Sequence, residues 1–436
     1  MNELSGTFHC WKRQVAACVA GLALSFPGLA VELRPLEPPP LEPPPLMARG
    51  LANALEQAWR LHPQAAALDA REAEANAARE IAAGLTPIPG SVTIGSLNDR
   101  LNRNLGRQEW EIELSTPLWL PGQKVAREAE AAGRIDEAAA KRAALRLELA
   151  GEVREAWWTL AAARNARTLE VRRLETARAL EANVRRRYEA GEVSRIDANL
   201  AKNEVHVAEA ELIETDVSLL QAEQALRTLT GAPAPPDLAA ETTEETPVTR
   251  PHSGASTVSL ESHPQLVAAA AVSRRARASV KVADETRRAA PELGLRVVRE
   301  RGDFAEPYAN SVGITLKVPF SSAAQVRRET SAAQAEANQA DAELVRTQTR
   351  VQLDAERARR ALQAVERQFA MAHERRALSA ENLRLSERAF SLGESDLATL
   401  LRIRAAAYDA DAFFSRQRVA RAAAQSRMNQ SLGVLP

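Results

Sequence analysis

Glu109, Glu111 and Glu113 stand at alternate positions in the stretch EWEIELSTPLW, residues 109 to 119. In extended backbone alternate residues share a face. The three carboxylates and Ser115 then point one way, and Trp110, Ile112, Leu114, Thr116 and Leu118 point the other. A row of carboxylates along a wetted wall favours cations, although ordinary polarity of a wetted face is the plainer reading. No residue pattern supports bond-making chemistry. The chain has no HExxH, G-x-S-x-G, phosphate loop, CxxC or dinucleotide fingerprint, and its six histidines are scattered. The sequence therefore reads as a non-enzyme with no cofactor and no metal site. His62 and His263 each precede a proline, where helical geometry is disfavoured, so each reads as a helix break or cap, with metal ligation as the alternative.

Such a strand is out of place in its surroundings, which are long, charged and rich in Ala, Arg and Glu. The chain holds 57 basic and 57 acidic residues, so no excess charge points to nucleic acid or to an anionic membrane surface. Aromatics make up only 4%, which suits a wall one helix thick or a coiled coil better than a compact α/β enzyme. Residues 1–30 read as a secretory signal: Lys12 and Arg13 precede an apolar run from Val15 to Phe26, and Gly28-Leu29-Ala30 offers small residues for cleavage. Both cysteines, Cys10 and Cys18, fall inside it. Val15-Ala16-Ala17-Cys18 has the outline of a lipidation box, but the apolar run lies mostly after Cys18 rather than before it. Residues 31–47, containing PLEPPPLEPPPL, read as an extended polyproline spacer.

The rest of the chain is written twice, at an offset of about 202 residues. His62-Pro63-Gln64 recurs as His263-Pro264-Gln265, Thr116-Pro117-Leu118 as Val318-Pro319-Phe320, Gly191-Glu192 as Gly393-Glu394, and Leu229-Thr230-Gly231 as Ser431-Leu432-Gly433. The expected organisation is a first repeat over 48–231, a Pro-rich linker over 232–256 and a second repeat over 257–436. In each repeat a helix follows His-Pro, to about Ala83 and about Ala290. Two strands come next, then a very long helix, a glycine break and a return helix. Gln123 to Tyr188 lacks proline, and Ser321 to Ser391 lacks proline and glycine. At roughly 1.5 Å per residue each would span about 100 Å, too long for the return helix unless the His-Pro helix stacks on its end. Spacings of three and four (Val153, Ala156, Leu160, Ala163; Leu174, Ala177, Leu180, Val184, Tyr188) predict coiled-coil-like seams.

The second repeat carries the same alternation in Val312, Ile314, Leu316, Val318 and Phe320, with shorter partner strands around Val92 and Ile94 and around Leu293, Leu295 and Val297. Apolar-out, polar-in alternation over about ten residues with a Trp near the end is what a transmembrane β-barrel strand requires. The lipid-facing set would be Trp110, Ile112, Leu114, Leu118, Val312, Ile314 and Leu316, and the pore-lining set Glu109, Glu111 and Glu113. Trp119 has the wrong parity for lipid and belongs at the boundary. A soluble hairpin is the competing reading. An open four-stranded sheet cannot sit in lipid with bare edges, so several chains must share a barrel if these strands enter a membrane.

The order of these parts, with the strand ends TPLWLPGQ and KVPFSSAAQ and the turns YEAGEVSRIDANLAKNEV and FSLGESDLATLLRIRAAA, resembles the TolC-like outer-membrane efflux channels over nearly all of the chain after the signal. Within that family the stretches LPGQK and LGESDLATLL look closest to the outer-membrane components of heavy-metal (cobalt/zinc/cadmium-type) RND efflux systems. The resemblance implies a mainly α fold with a small β part: a helical barrel crossing the periplasm, and four strands per chain in a shared, trimeric, twelve-stranded outer-membrane barrel. It implies a homotrimer in outer-membrane lipid, meeting a periplasmic adaptor (membrane fusion protein) and an inner-membrane RND-type pump, with passive conduction powered by that pump. Tyr188, Gly191, Asp197, Phe390, Gly393 and Asp396 would form the periplasmic tip, its gate and the adaptor-docking surface. Thr399 stands where family members carry a second acidic residue, with Asp396 nearby. Arg185-Arg186-Arg187 would pair with acidic residues to hold a closed state, or form a solvated face. An exit duct for drugs or secreted polypeptide, and a soluble periplasmic coiled-coil scaffold, are the alternative functions.

Overall fold

A computed structural model describes residues 46–101, 104–233 and 260–436, with side chains from Gly50 onward. The signal segment with Cys10 and Cys18, residues 31–45 of the spacer and nearly all of the linker lie outside them. Two helices dominate the described part. Helix α3 (Gln123–Glu189) has 67 residues and α6 (Ala323–Ser391) has 69. Each is about 100 Å long at 1.5 Å per residue. They run uninterrupted because they lack proline and are built from Ala, Arg, Glu and Leu, the strongest helix formers. The seam expected on α3 is buried at Val153, Leu160, Leu174, Ala177, Leu180 and Val184, whereas Tyr188 at its end is 41% exposed.

The return helices are α4 (Arg195–Thr230) and α7 (Leu397–Ser431). The His-Pro helices are α2 (Pro63–Ala83) and α5 (Pro264–Glu285), each with proline in its first turn, where no N–H is needed. Helix α5 stops five residues short of Ala290. Pro291 holds the residue before it extended, and the chain must leave the helix to enter the sheet. His263 caps α5 by accepting from the Gln265 N–H at 3.3 Å, and burial lowers its pKa; His62 caps α2 with no side-chain bond. Among the described residues no group of three or more His, Cys, Asp or Glu could hold a metal.

Helix α1 (Leu46–Leu61) is absent from the sequence expectations, which ran the spacer to residue 47 and began the first helix after His62. Leu51, Leu55, Ala58 and Trp59 at helical spacing carried its signal. Leu55 and Ala58 join Leu149, Val153, Trp157 and Leu160 of α3 and Ala222 and Leu226 of α4 in one buried cluster.

Helices α4 and α7 both pack on α3, and α7 packs on α6; toward the strands, α2 and α5 both pack on α3, and α5 packs on α6. The wall therefore reads α4-α3-α7-α6 near the glycine turns and α2-α3-α5-α6 near the strands. The return helices do abut the His-Pro units. A Cβ on Gly231 would lie 2.6 Å from Leu61 at the end of α1, and one on Gly433 would lie 2.7 Å from Pro264. The two repeats are tied by Arg154, 3% exposed, which donates to Gln430 Oε1 and, at 2.9 Å, to the Val434 carbonyl. Burial lowers its pKa to about 10, so it stays charged at neutral pH.

Glu137 ties α3 to α5 through Arg275 at 2.9 Å and also binds Lys141 at 2.6 Å. Burial pushes its pKa up, but the two cations outweigh burial and hold it below the ordinary glutamate range. A depressed carboxyl stabilises the fold above the unfolded pKa, and that stability is lost as pH falls through the folded value. Glu137→Gln is therefore expected to lower the thermal midpoint at neutral pH. It should also flatten the fall in that midpoint below the ordinary glutamate range, as calorimetry of both proteins at neutral and acid pH would show.

Four strands complete the described fold: β1 (Ser91–Asn98), β2 (Gln108–Pro117), β3 (Glu292–Arg301) and β4 (Ala309–Lys317). They form one antiparallel sheet in the order β1-β2-β3-β4, so the two repeats meet at the β2–β3 pair. The partner strands β1 and β3 are as regular as β2 and β4 and extend beyond the few residues their sequence patterns marked.

Candidate functional site

The register aligns the apolar residues of all four strands into rows. Ile94, Ile112, Val297 and Val312 form one; Val92, Leu114, Leu295 and Ile314 form the next; Leu293 and Leu316 continue the face beside Thr116. Every apolar side chain in these rows is exposed, from 39% for Leu293 to 77% for Ile314. Among the described residues no helix or loop covers them. Soluble proteins rarely leave so wide a contiguous apolar face bare. Leu118 lies one residue past β2, 37% exposed, its N–H donating to the Pro291 carbonyl at 2.7 Å. Trp119, beside it, donates to the Gly84 carbonyl at 3.2 Å, at the junction with the helices. Toward the far end Trp110 shares the face, and Tyr308 beyond it holds Arg299 and Arg301 over its ring at 4.6 and 4.8 Å. Aromatic residues thus flank the apolar band at both ends. Among the described residues no helix is long and apolar enough to cross a membrane.

Glu109, Glu111 and Glu113 share the opposite face, as their spacing predicts. The sequence expectation missed Arg296 on β3, which stands across from Glu113 and pairs with Glu111, Nε to Oε1 at 2.7 Å. Glu113 instead accepts from Thr315 at 3.1 Å. The position of Arg296 between Leu295 and Val297 in LGLRVVRE is a local signal for the polar face, but only the register shows which strand it meets.

At the other end of the long helices, Gly191 and Gly393 are left-handed, with φ of 78° and 77°. In each turn the residue after the glycine donates back to a carbonyl five residues earlier: Glu192 to Arg187 at 2.8 Å and Glu394 to Ala389 at 2.9 Å. This is the Schellman stop, which a side chain at glycine would strain. The next helix starts at once. Ser194 caps α4, and Asp197 reciprocates by accepting from the Ser194 N–H at 3.1 Å, a full capping box. In the second repeat the acid sits at the cap itself: Asp396 accepts from the Thr399 N–H at 2.8 Å, and hydrogen bonds to Thr399 lower its pKa. The departure at Thr399 is thus an exchange of capping partners between repeats.

The two turns are packed together. Leu180 and Val184 of α3, Ala201 of α4, and Leu397 and Leu400 of α7 form one buried cluster, with Phe390 of α6 against it. Arg187 lies 5.1 Å over the Phe390 ring and pairs with Glu192 at 3.2 Å. Arg185 pairs with Glu181 on its own helix, and Arg186 donates to the Ala182 carbonyl. The arginine run is therefore engaged within its own repeat, apart from the Phe390 contact.

The described residues thus carry a wide apolar sheet face at one end of the long helices and a pair of packed helix turns at the other. Residues 50–232 match a family model described as outer membrane efflux protein. That match covers less than half of the chain. Solved structures of outer-membrane proteins resemble the chain over 88% of its length. The outer membrane protein VceC of Vibrio cholerae superposes with a TM-score of 0.69 at 17% identity, over 88% of this chain and 96% of that one. CusC gives 0.70 at 13% identity, over 88% and 92%, and the open MtrE outer membrane channel of Neisseria gonorrhoeae 0.68 at 17%, over 88% and 89%. No curated protein matches the chain. The fold is that of the outer-membrane channels: mainly helical, with a small antiparallel sheet.

Proposed function

We propose that the chain is the outer-membrane channel of a tripartite efflux system, conducting substrate passively through a homotrimer. The observation that carries this is the bare apolar face across all four strands. In lipid such a face is satisfied, but the free edges of β1 and β4 are not, because unpaired backbone groups cost several kcal/mol each in hydrocarbon. Since β1 and β4 run in opposite directions, β4 of one copy can pair antiparallel with β1 of the next. Three copies then close a barrel of twelve strands with no edge. The helices offer the same head-to-tail contact: α4 exposes Ile213, Val217 and Leu220, and α6 on the opposite flank exposes Met371, Leu378 and Leu385.

The barrel would span the outer membrane and the helices would cross the periplasm. Tyr188, Gly191, Asp197, Phe390, Gly393 and Asp396 would then form the tip that meets a periplasmic adaptor and an RND-type inner-membrane pump. Energy would come from that pump. Heavy-metal cations are the proposed substrate, supported by the LPGQK and LGESDLATLL stretches and by the carboxylates of the polar face. Expression with the signal, followed by detergent extraction of outer membranes, is expected to yield a complex of three chains by light scattering or native mass spectrometry. A monomer or dimer recovered from the soluble periplasm would overturn the proposal.

A further inference from the structure

We infer that Arg296 is a specificity-determining residue of the barrel lumen, setting how strongly the wall prefers cations to anions. The inference rests on the channel reading above, in which the polar face of the sheet lines the pore. Five carboxylates lie on that face by register: Glu109, Glu111, Glu113, Glu292 and Glu300. Two cations answer them. Lys317 pairs with Glu292 at 3.3 Å beside the helices, and Arg296 holds Glu111, with Nη2 donating to Oε2 at 3.1 Å and Nε 2.7 Å from Oε1. Five acids against two bases leave three negative charges per chain. Arg296 is the one base in the middle of the strip, and its Nη2 also lies 3.7 Å from Glu109.

The carboxylates that Arg296 and Lys317 do not hold closely have distinct settings. Among the described residues Glu113 receives only the neutral Thr315 hydroxyl. Glu109 faces Glu300 directly across the β2–β3 pair. Like charges opposite one another destabilise a sheet, and water and mobile counterions on a wetted wall relieve that cost.

Glycines make room for this strip. Gly294 lies under the Glu113–Thr315 contact, where a Cβ would come within 2.3 Å of Thr315 Oγ1 and 2.6 Å of Glu113 Oε1. Gly95 flanks Glu111, and Gly313 flanks Arg296 with open space above it. The charged side chains therefore lie along the wall beside gaps instead of meeting bulky neighbours. A wall of that kind discriminates by the sign of its field and not by close fit to one ion. Removing Arg296 adds a negative charge per chain and frees Glu111; removing the Glu111 charge leaves Arg296 unanswered and shifts the field the other way.

The test is the potassium-to-chloride permeability ratio, from reversal potentials of single channels in planar bilayers under a KCl gradient. Arg296→Gln is expected to raise the ratio about two-fold or more, and Glu111→Gln to lower it by a similar factor. Arg296→Lys, which keeps the charge, is expected to stay near wild type. Opposite shifts from neighbouring substitutions are not what general damage to the barrel produces, and Glu111→Gln tests the inference even if Arg296→Gln fails to assemble. Ratios unchanged in both variants, or moved in the same direction, overturn it. Wild-type protein that gives no conductance steps at all would instead count against the channel reading itself.

Discussion

Ile112→Arg is expected to abolish recovery of the protein from the outer membrane. Ile112 sits in the second strand of the sheet, between Ile94 and Val297 across the strands, and is 54% exposed in the single chain. It lies midway along the apolar band, between the Trp110 end and the helix junction. Arginine on a lipid-facing barrel strand costs about 2–4 kcal/mol near the bilayer midplane, and a trimer would bear that cost in every chain. The expected result is loss of the detergent-extracted complex, with the chain degraded or found in the periplasmic fraction. Glu111→Gln, one residue away on the other face, is expected to assemble normally. Fractionation followed by native gels compares the two directly. If Ile112→Arg assembles like wild type, the face does not meet lipid, and the soluble scaffold becomes the better account.

Much of this architecture was legible because the duplication reports itself twice. Alternation in 110–118 and again in 312–316 fixes both faces of β2 and β4, since a period of two allows only one partition. The glycine stops after Tyr188 and Phe390 likewise mark both turns, and the lengths between breaks demand end-to-end stacking. What escaped falls into two physical classes. Helix α1 lies beside a proline-rich stretch, and at its place in the second repeat the described residues hold only a single helical turn, Leu260–Ser262, so symmetry could not reveal it. The partners of Glu111 and Asp396 depend on register and capping geometry. Arg296 is 185 residues from Glu111, and nothing local to either residue names the other. At Asp396 the sequence marks a missing acid at Thr399, whereas backbone geometry shows that the cap and its reciprocal partner have exchanged places.

The tip cluster is the place where a buried substitution should change function more than stability. Leu400 is 1% exposed and joins α7 to Leu180 and Val184 of α3 and to Ala201 of α4. Truncating a buried leucine to alanine costs about 2–5 kcal/mol, part of it for the cavity left behind. Another link between the helix pairs near the turns is a cation–π contact, with Arg187 of α3 over the Phe390 ring of α6; the Arg404–Glu387 pair ties α7 to α6 within one pair and does not bridge the two. Mature protein cut after Ala30 would hold no cysteine, so no disulfide would support them. Leu400→Ala is therefore expected to loosen the α3/α4 pair from the α6/α7 pair at the tip. The readout is higher single-channel conductance and greater sensitivity of expressing cells to large antibiotics that the intact outer membrane excludes. The thermal midpoint should move less than in Leu226→Ala, because Leu226 belongs to the separate cluster that locks α1 and α4 onto α3 far from the turns. Leu226→Ala in turn should lower the midpoint without a leak. If Leu400→Ala melts early yet conducts like wild type, the turns are not the gate, and closure must lie elsewhere along the wall.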